Sequence, residues 1–154
     1  MKIYLAGPCD SENRTLMMSI AQKIRTSVYD DIELYCPFEL KIENAWDYTQ
    51  EVWAEKVFNA DIAAINKCDA MILITPGRIS SAGTNWEQGY AYALGKKVYV
   101  LQITDASTSL MTYCGCNYFA NATKDTIFYQ ISAILDDIKY KFDSGKSKCT
   151  TILT

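Results

Sequence analysis

Residues Ser80-Ser81-Ala82-Gly83-Thr84-Asn85-Trp86-Glu87-Gln88-Gly89-Tyr90-Ala91-Tyr92-Ala93-Leu94-Gly95-Lys96-Lys97 read as a small-residue loop that opens a helix. Before them comes Ala70-Met71-Ile72-Leu73-Ile74-Thr75, closed by Pro76-Gly77; after them comes Val98-Tyr99-Val100-Leu101. Short continuous apolar runs of this kind suit strands buried on both faces, as in parallel sheets. The segment is therefore a strand–loop–helix–strand unit, with Glu87 expected in the first turn of the helix. In open α/β sheets, ligands bind outside the carboxyl ends of the strands, where such a loop lies.

Working outward, strand patterns recur at 3–6 and 32–36, with a weaker one at 117–120. Helical patterns fill 12–29, 48–66, 85–94 and 126–142. In the last, Ile127, Ile131, Ile134, Leu135 and Ile138 follow helical spacing. This alternation predicts a doubly wound, flavodoxin-like parallel sheet of about five strands with helices on both faces. A chain of 154 residues holds one such domain, read here as 1–143, with 144–154 as a flexible tail. Residues 104–117, rich in Ser, Thr, Cys and Gly, read as a loop.

Composition narrows the chemistry. Fifteen basic against 18 acidic residues give a net charge of −3, which argues against a nucleic-acid polymer or an anionic membrane as partner. Small nucleosides need no basic field. Histidine is absent, which removes Ser-His-Asp and Cys-His nucleophiles and histidine zinc sites. Proton transfer falls to carboxylates, Tyr, Lys, Cys or water. The six cysteines (Cys9, Cys36, Cys68, Cys114, Cys116 and Cys149) form no CxxC pair. With no secretory pattern and no apolar run near the roughly 18 residues a spanning helix needs, they read as reduced thiols of a cytoplasmic protein.

Three side chains break local expectation. Ala54, Val57, Phe58, Asp61, Ile62 and Ile65 share one helical face. An inward carboxylate among apolar residues is costly unless paired or facing a polar cavity, so Asp61 lies either at the stripe's edge or in a site. Glu87 has two readings as well. Thr84-Asn85-Trp86-Glu87 matches a capping box, and a carboxylate at a helix start is also favoured in its ionised form, as a nucleophile requires. Tyr4 shares a strand face with Ala6 and is either core or a hydrogen-bond donor to a carboxylate. Trp46, Trp53, Trp86 and Tyr48 read mainly as packing, with one available to stack on a planar base.

These residues resemble the nucleoside 2-deoxyribosyltransferase family. Lys2-Ile3-Tyr4-Leu5-Ala6-Gly7-Pro8 is similar to its opening strand and loop. Val52-Trp53-Ala54, Phe58-Asn59-Ala60-Asp61-Ile62 and Cys68-Asp69-Ala70 are similar to its second helix and next strand. Gly83-Thr84-Asn85-Trp86-Glu87-Gln88-Gly89-Tyr90-Ala91-Tyr92-Ala93 with Gly95-Lys96 is similar to its most specific signature. The resemblance implies Glu87 as nucleophile, Tyr4 as the residue orienting it and Asp61 as the contact to the leaving base. It also implies substrate contacts at Gly7, Pro8, Ser81, Gly83, Thr84, Ser109 and Met111. Leu110-Met111 is similar to a family loop that enters a neighbouring subunit's site, which implies a homo-oligomer. The implied reaction exchanges bases on 2′-deoxynucleosides with net retention, and requires neither metal nor organic cofactor.

Two positions depart from the family. Ser81 stands where many of the transferases carry an aspartate, and Ser109 where an asparagine binds the sugar 5′-hydroxyl. Serines there are closer to related deoxynucleotide N-hydrolases, in which they bind a 5′-phosphate. Against that branch, Gly7-Pro8-Cys9-Asp10-Ser11 lacks its arginine-bearing phosphate loop. Three readings stand: base exchange, hydrolysis of deoxynucleoside 5′-monophosphates, and non-catalytic nucleotide binding on the same fold.

Overall fold

The computed structural model describes residues 1–144. Five strands, β1 (Lys2–Ala6), β2 (Glu33–Tyr35), β3 (Ala70–Thr75), β4 (Lys97–Gln102) and β5 (Tyr118–Asn121), form one parallel sheet in the order β2-β1-β3-β4-β5. This is the flavodoxin-like order, and its chain reversal falls between β1 and β3. The weak pattern near 117–120 is a true edge strand. The helices are α1 (Arg14–Arg25), α2 (Gln50–Lys67), α3 (Ala82–Ala93), the short α4 (Leu110–Cys114) and α5 (Ile127–Ser144).

Strand alternation divides the core in two. Ile3, Leu5, Ile72, Ile74, Tyr99 and Leu101 face one way and pack with α1 and α5 residues such as Met17, Ile20, Ile131 and Leu135. Tyr4, Ala6, Met71, Leu73, Val98 and Val100 face the other way, against Ile65 of α2 and Ala91 of α3. Every residue of β3 is buried, as its unbroken apolar run predicts. Tyr4 and Ala6 share the α2/α3 face, which holds the candidate site.

Several boundaries differ from the sequence reading. The first helix starts at Arg14, because the Asp10 side chain accepts from the backbone amides of Glu12 and Asn13 at 3.0 Å and holds a turn there. Residues 104–117 are not all loop, since α4 lies within them. Five helical residues are too few to display a period. The apolar stripe of α2 is only partly inward: Ile65 is buried, but Phe58 is 51% exposed. Ile65, near the C-terminal end of α2, is the residue it buries fully. The described part of α5 runs to Ser144, and the rest of the expected tail lies outside the described residues, as does Cys149. Cys9, Cys36, Cys68 and Cys114 are free thiols. Among the described residues no helix is long and apolar enough to cross a membrane.

Candidate active site

The largest correction concerns Glu87. Helix α3 begins three residues earlier than the capping-box pattern predicts: Ser81 is the N-cap, and its Oγ accepts from the amide of Thr84 at 3.1 Å. No acidic residue occupies the first turn, so Glu87 lies in the second turn and caps nothing. Instead it points back toward the sheet. The Tyr4 hydroxyl, on a fully buried ring, donates to Glu87 Oε1 at 3.0 Å. Burial dominates the electrostatics and lifts the Glu87 carboxyl to about 7. The nearby charge of Asp61 adds to this, and the Tyr4 hydrogen bond opposes it. The ionisation expected from a helix start is thus replaced by a carboxyl poised near neutrality.

Asp61 sits on α2 across the same cleft, and the Tyr35 hydroxyl donates to its Oδ1 at 2.8 Å. Burial raises this carboxyl as well, while the Tyr35 hydrogen bond lowers it. Neither Glu87 Oε2 nor Asp61 Oδ2 takes a hydrogen bond from the described residues. Each carboxylate therefore has one oxygen anchored by a tyrosine and one available to a ligand.

The cleft between them has a volume of about 290 Å³, a size that suits a small organic ligand. Gly7, Cys9, Ser81, Gly83 and Thr84 form its polar side, and Pro37, Phe38, Leu40, Ile42, Trp53 and Val57 its apolar wall. Among the described residues no lysine or arginine lines it. Gly7 packs tightly: a Cβ there would come within 2.6 Å of Met17 Cε and 2.8 Å of Met17 Sδ, and the end of that side chain would have to shift. At Gly83 an added Cβ would meet nothing within 4 Å, so that side of the cleft is open.

The expected site residues fall into two groups. Tyr4, Gly7, Asp61, Ser81, Gly83, Thr84 and Glu87 surround or reach one cleft, and Pro8 is buried directly after Gly7. The Ser81 hydroxyl lies 2.7 Å from Thr84 Oγ1, which donates in turn to the Gly7 carbonyl at 3.4 Å. Ser109 and Met111 are not brought to this cleft. With Asn85, Gln88 and Tyr92 they line a separate cavity of about 340 Å³ on the other side of α3. Among the tryptophans, Trp53 reaches the cleft, Trp46 is 96% exposed, and Trp86 stacks on Tyr90 with ring centroids 5.3 Å apart. Sequence reasoning missed Tyr35 and the wall from Pro37 to Ile42. Neither had a signal in the sequence: the pairing of Tyr35 with Tyr4 is set by strand register, and the wall is one short 3-10 turn, Pro37–Glu39, followed by loop.

A cleft at the carboxyl end of β1, with two tyrosine-anchored carboxylates and an apolar wall, has the size and lining to take a small polar ligand. The chain belongs to the nucleoside 2-deoxyribosyltransferase family, whose sequence model matches residues 3–139. Among solved structures it is similar to the 2-deoxyribosyltransferase of the psychrotolerant bacterium Bacillus psychrosaccharolyticus. That likeness has 25% identity and a TM-score of 0.70, over 86% of this chain and 90% of the other. A conserved protein from Enterococcus faecalis is 19% identical with a TM-score of 0.62, over 92% and 98% of the two chains. A CMP N-glycosidase from Clostridium botulinum is 17% identical with a TM-score of 0.58, over 88% and 99%. These last two likenesses show the fold alone. No curated protein sequence matches the chain significantly.

Proposed function

We propose that this protein transfers the 2-deoxyribosyl group between purine and pyrimidine bases of 2′-deoxynucleosides through a covalent ester on Glu87. The observation that carries the reading is the pairing of Glu87, held by Tyr4, with Asp61 in one cleft. Base and sugar lie between the apolar wall and the Gly7–Thr84 side. The free oxygen of ionised Glu87 attacks C1′ as the C–N bond breaks, through an oxocarbenium-like transition state. The bonding electron pair leaves with the base, which takes a proton from the carboxylic acid form of Asp61. A second base occupies the vacated wall, returns a proton to Asp61 and displaces Glu87 from C1′. Two inversions give retention. Lack of a 2′-hydroxyl eases cation formation, which favours the 2-deoxy sugar.

Charge favours nucleosides over 5′-nucleotides. Among the described residues no lysine or arginine lines the cleft, two carboxyl groups do, and the Ser81 hydroxyl is engaged by Thr84. An added phosphate dianion would meet repulsion without a charge-assisted partner. A homo-oligomer is part of the proposal, because Leu110 and Met111 at the start of α4 are 79% and 82% exposed. Apolar side chains so placed are suited to closing a neighbouring copy's cleft, which would keep water from the ester. Cytoplasmic location and independence from metal or organic cofactor belong to the same reading.

The test is incubation with thymidine and adenine, following deoxyadenosine by chromatography, with the 5′-monophosphates in parallel. Deoxyadenosine formation supports transfer. Free base released from a monophosphate without an acceptor supports the hydrolase instead. Binding without turnover in either assay supports a non-catalytic role.

A further inference from the structure

We propose that Tyr35 is a positioning residue for Asp61: it holds one carboxylate oxygen so that the other meets the base. The inference rests on the deoxyribosyl-transfer reading above and adds to it a residue outside the expected site set. Its basis is the register of the sheet. Strand β2 has only three residues, and the β1–β2 pairing sets Tyr35 directly beside Tyr4. Neighbouring residues in register on one sheet face interact through their side chains. Here the two rings stack, with centroids 5.3 Å apart and 23° between planes.

The stack gives each phenol one target. Tyr4 reaches Glu87 Oε1 at 3.0 Å, and Tyr35 reaches Asp61 Oδ1 at 2.8 Å. An aspartate's terminal torsion is broad and roughly two-fold, so an unheld Asp61 would present either oxygen over a range of angles. The Tyr35 hydrogen bond removes that freedom, and Asp61 Oδ2 keeps no partner among the described residues. Burial and the Asp61 bond both keep the Tyr35 phenol protonated. Tyr35 is therefore a fixed donor and passes no proton itself. Its bond favours the ionised form of Asp61, against the burial that favours the neutral one. Both forms are needed, because the departing base takes a proton and the arriving base returns one.

The test is a double-mutant cycle on the whole protein, using Y35F, D61N and Y35F/D61N, which removes the phenol oxygen but keeps the ring on Tyr4. Exchange between thymidine and adenine is followed across neutral pH. Loss of one hydrogen bond to a charged group is expected to lower kcat/KM roughly ten-fold or more. The pH limb set by Asp61 should move upward, and Y35F should cost nothing further in the D61N background. A Y35F enzyme with unchanged rate and pH profile, or losses that multiply in the double variant, would overturn the proposal. Carboxyl 13C NMR of Asp61 gives a readout that needs no turnover: the resonance should titrate at higher pH in Y35F than in wild type, and coincident curves would also overturn it. Absence of exchange by the wild type would defeat the transfer reading alone, and the NMR titration would still decide the role of Tyr35.

Discussion

Tyr4 and Tyr35 lie in register on adjacent parallel strands, stacked at 5.3 Å, and their hydroxyls hold different carboxylates, Glu87 and Asp61. Two carboxylates that face one cleft are thus fixed by one aromatic pair at the carboxyl end of the sheet. Helices α2 and α3 supply the carboxylates, and the sheet supplies the donors. The geometry survives only if strand register and helix docking agree.

The first prediction concerns stability. In the folded protein Glu87 takes up its proton at about 7, against 4.5 for an ordinary glutamate. Below 4.5 both folded and unfolded forms carry the proton, so the group costs nothing. As pH rises through that window the unfolded chain ionises first, and stability is lost, by up to about 3 kcal/mol above pH 7. Denaturant unfolding should therefore show Glu87→Gln more stable than wild type in mildly alkaline buffer and nearly equal in acid, although exchange falls by roughly a thousand-fold or more.

A second prediction follows from the same carboxyl. In the proposed reaction only ionised Glu87 attacks, so kcat/KM should rise with pH along a limb centred near 7. Burial sets most of that value, but the Asp61 charge contributes. In Asp61→Asn the limb should move to lower pH, with slower exchange throughout. Because the two carboxyls are coupled, the limbs belong to the pair.

Tyr4→Phe should act in the opposite sense. It removes the hydrogen bond that lowers the Glu87 carboxyl and fixes Oε1. The rising limb should shift to higher pH, and kcat should fall roughly ten- to a hundred-fold. A retained phenyl ring keeps the packing, so thermal unfolding should change little.

Trp53 tests the apolar wall. If the base rests on it, Trp53→Ala loses stacking of about 1–3 kcal/mol. Steady-state kinetics should show a KM increase of about ten-fold or more with a smaller change in kcat. Trp53→Phe should recover most of the loss.

The sheet was legible in the sequence because its strands are unbroken apolar runs: Ala70–Thr75 could hardly be anything else once Pro76-Gly77 closed it. Asp61 and Tyr4 were legible as anomalies of periodicity. The start of α3 was misread because Ser81 and Thr84, three residues apart, both match an N-cap pattern, and the earlier one caps the helix. Tyr35 was invisible for a different reason. Its strand is three residues long, and its importance lies in a partner 31 positions away, fixed only by register. The wall from Pro37 to Ile42 is too short and mixed to show a period, and it becomes a surface only through the fold that sets it opposite α2 and α3.

The most direct measurement is intact-protein and peptide mass spectrometry after exposure to a 2-fluoro-2-deoxy nucleoside, in which fluorine slows breakdown of the glycosyl ester. A mass increase equal to one fluorosugar, mapped to Glu87 and absent from Glu87→Gln, is the predicted result. A folded wild-type protein that stays unmodified, or an adduct on any other residue, would contradict the account.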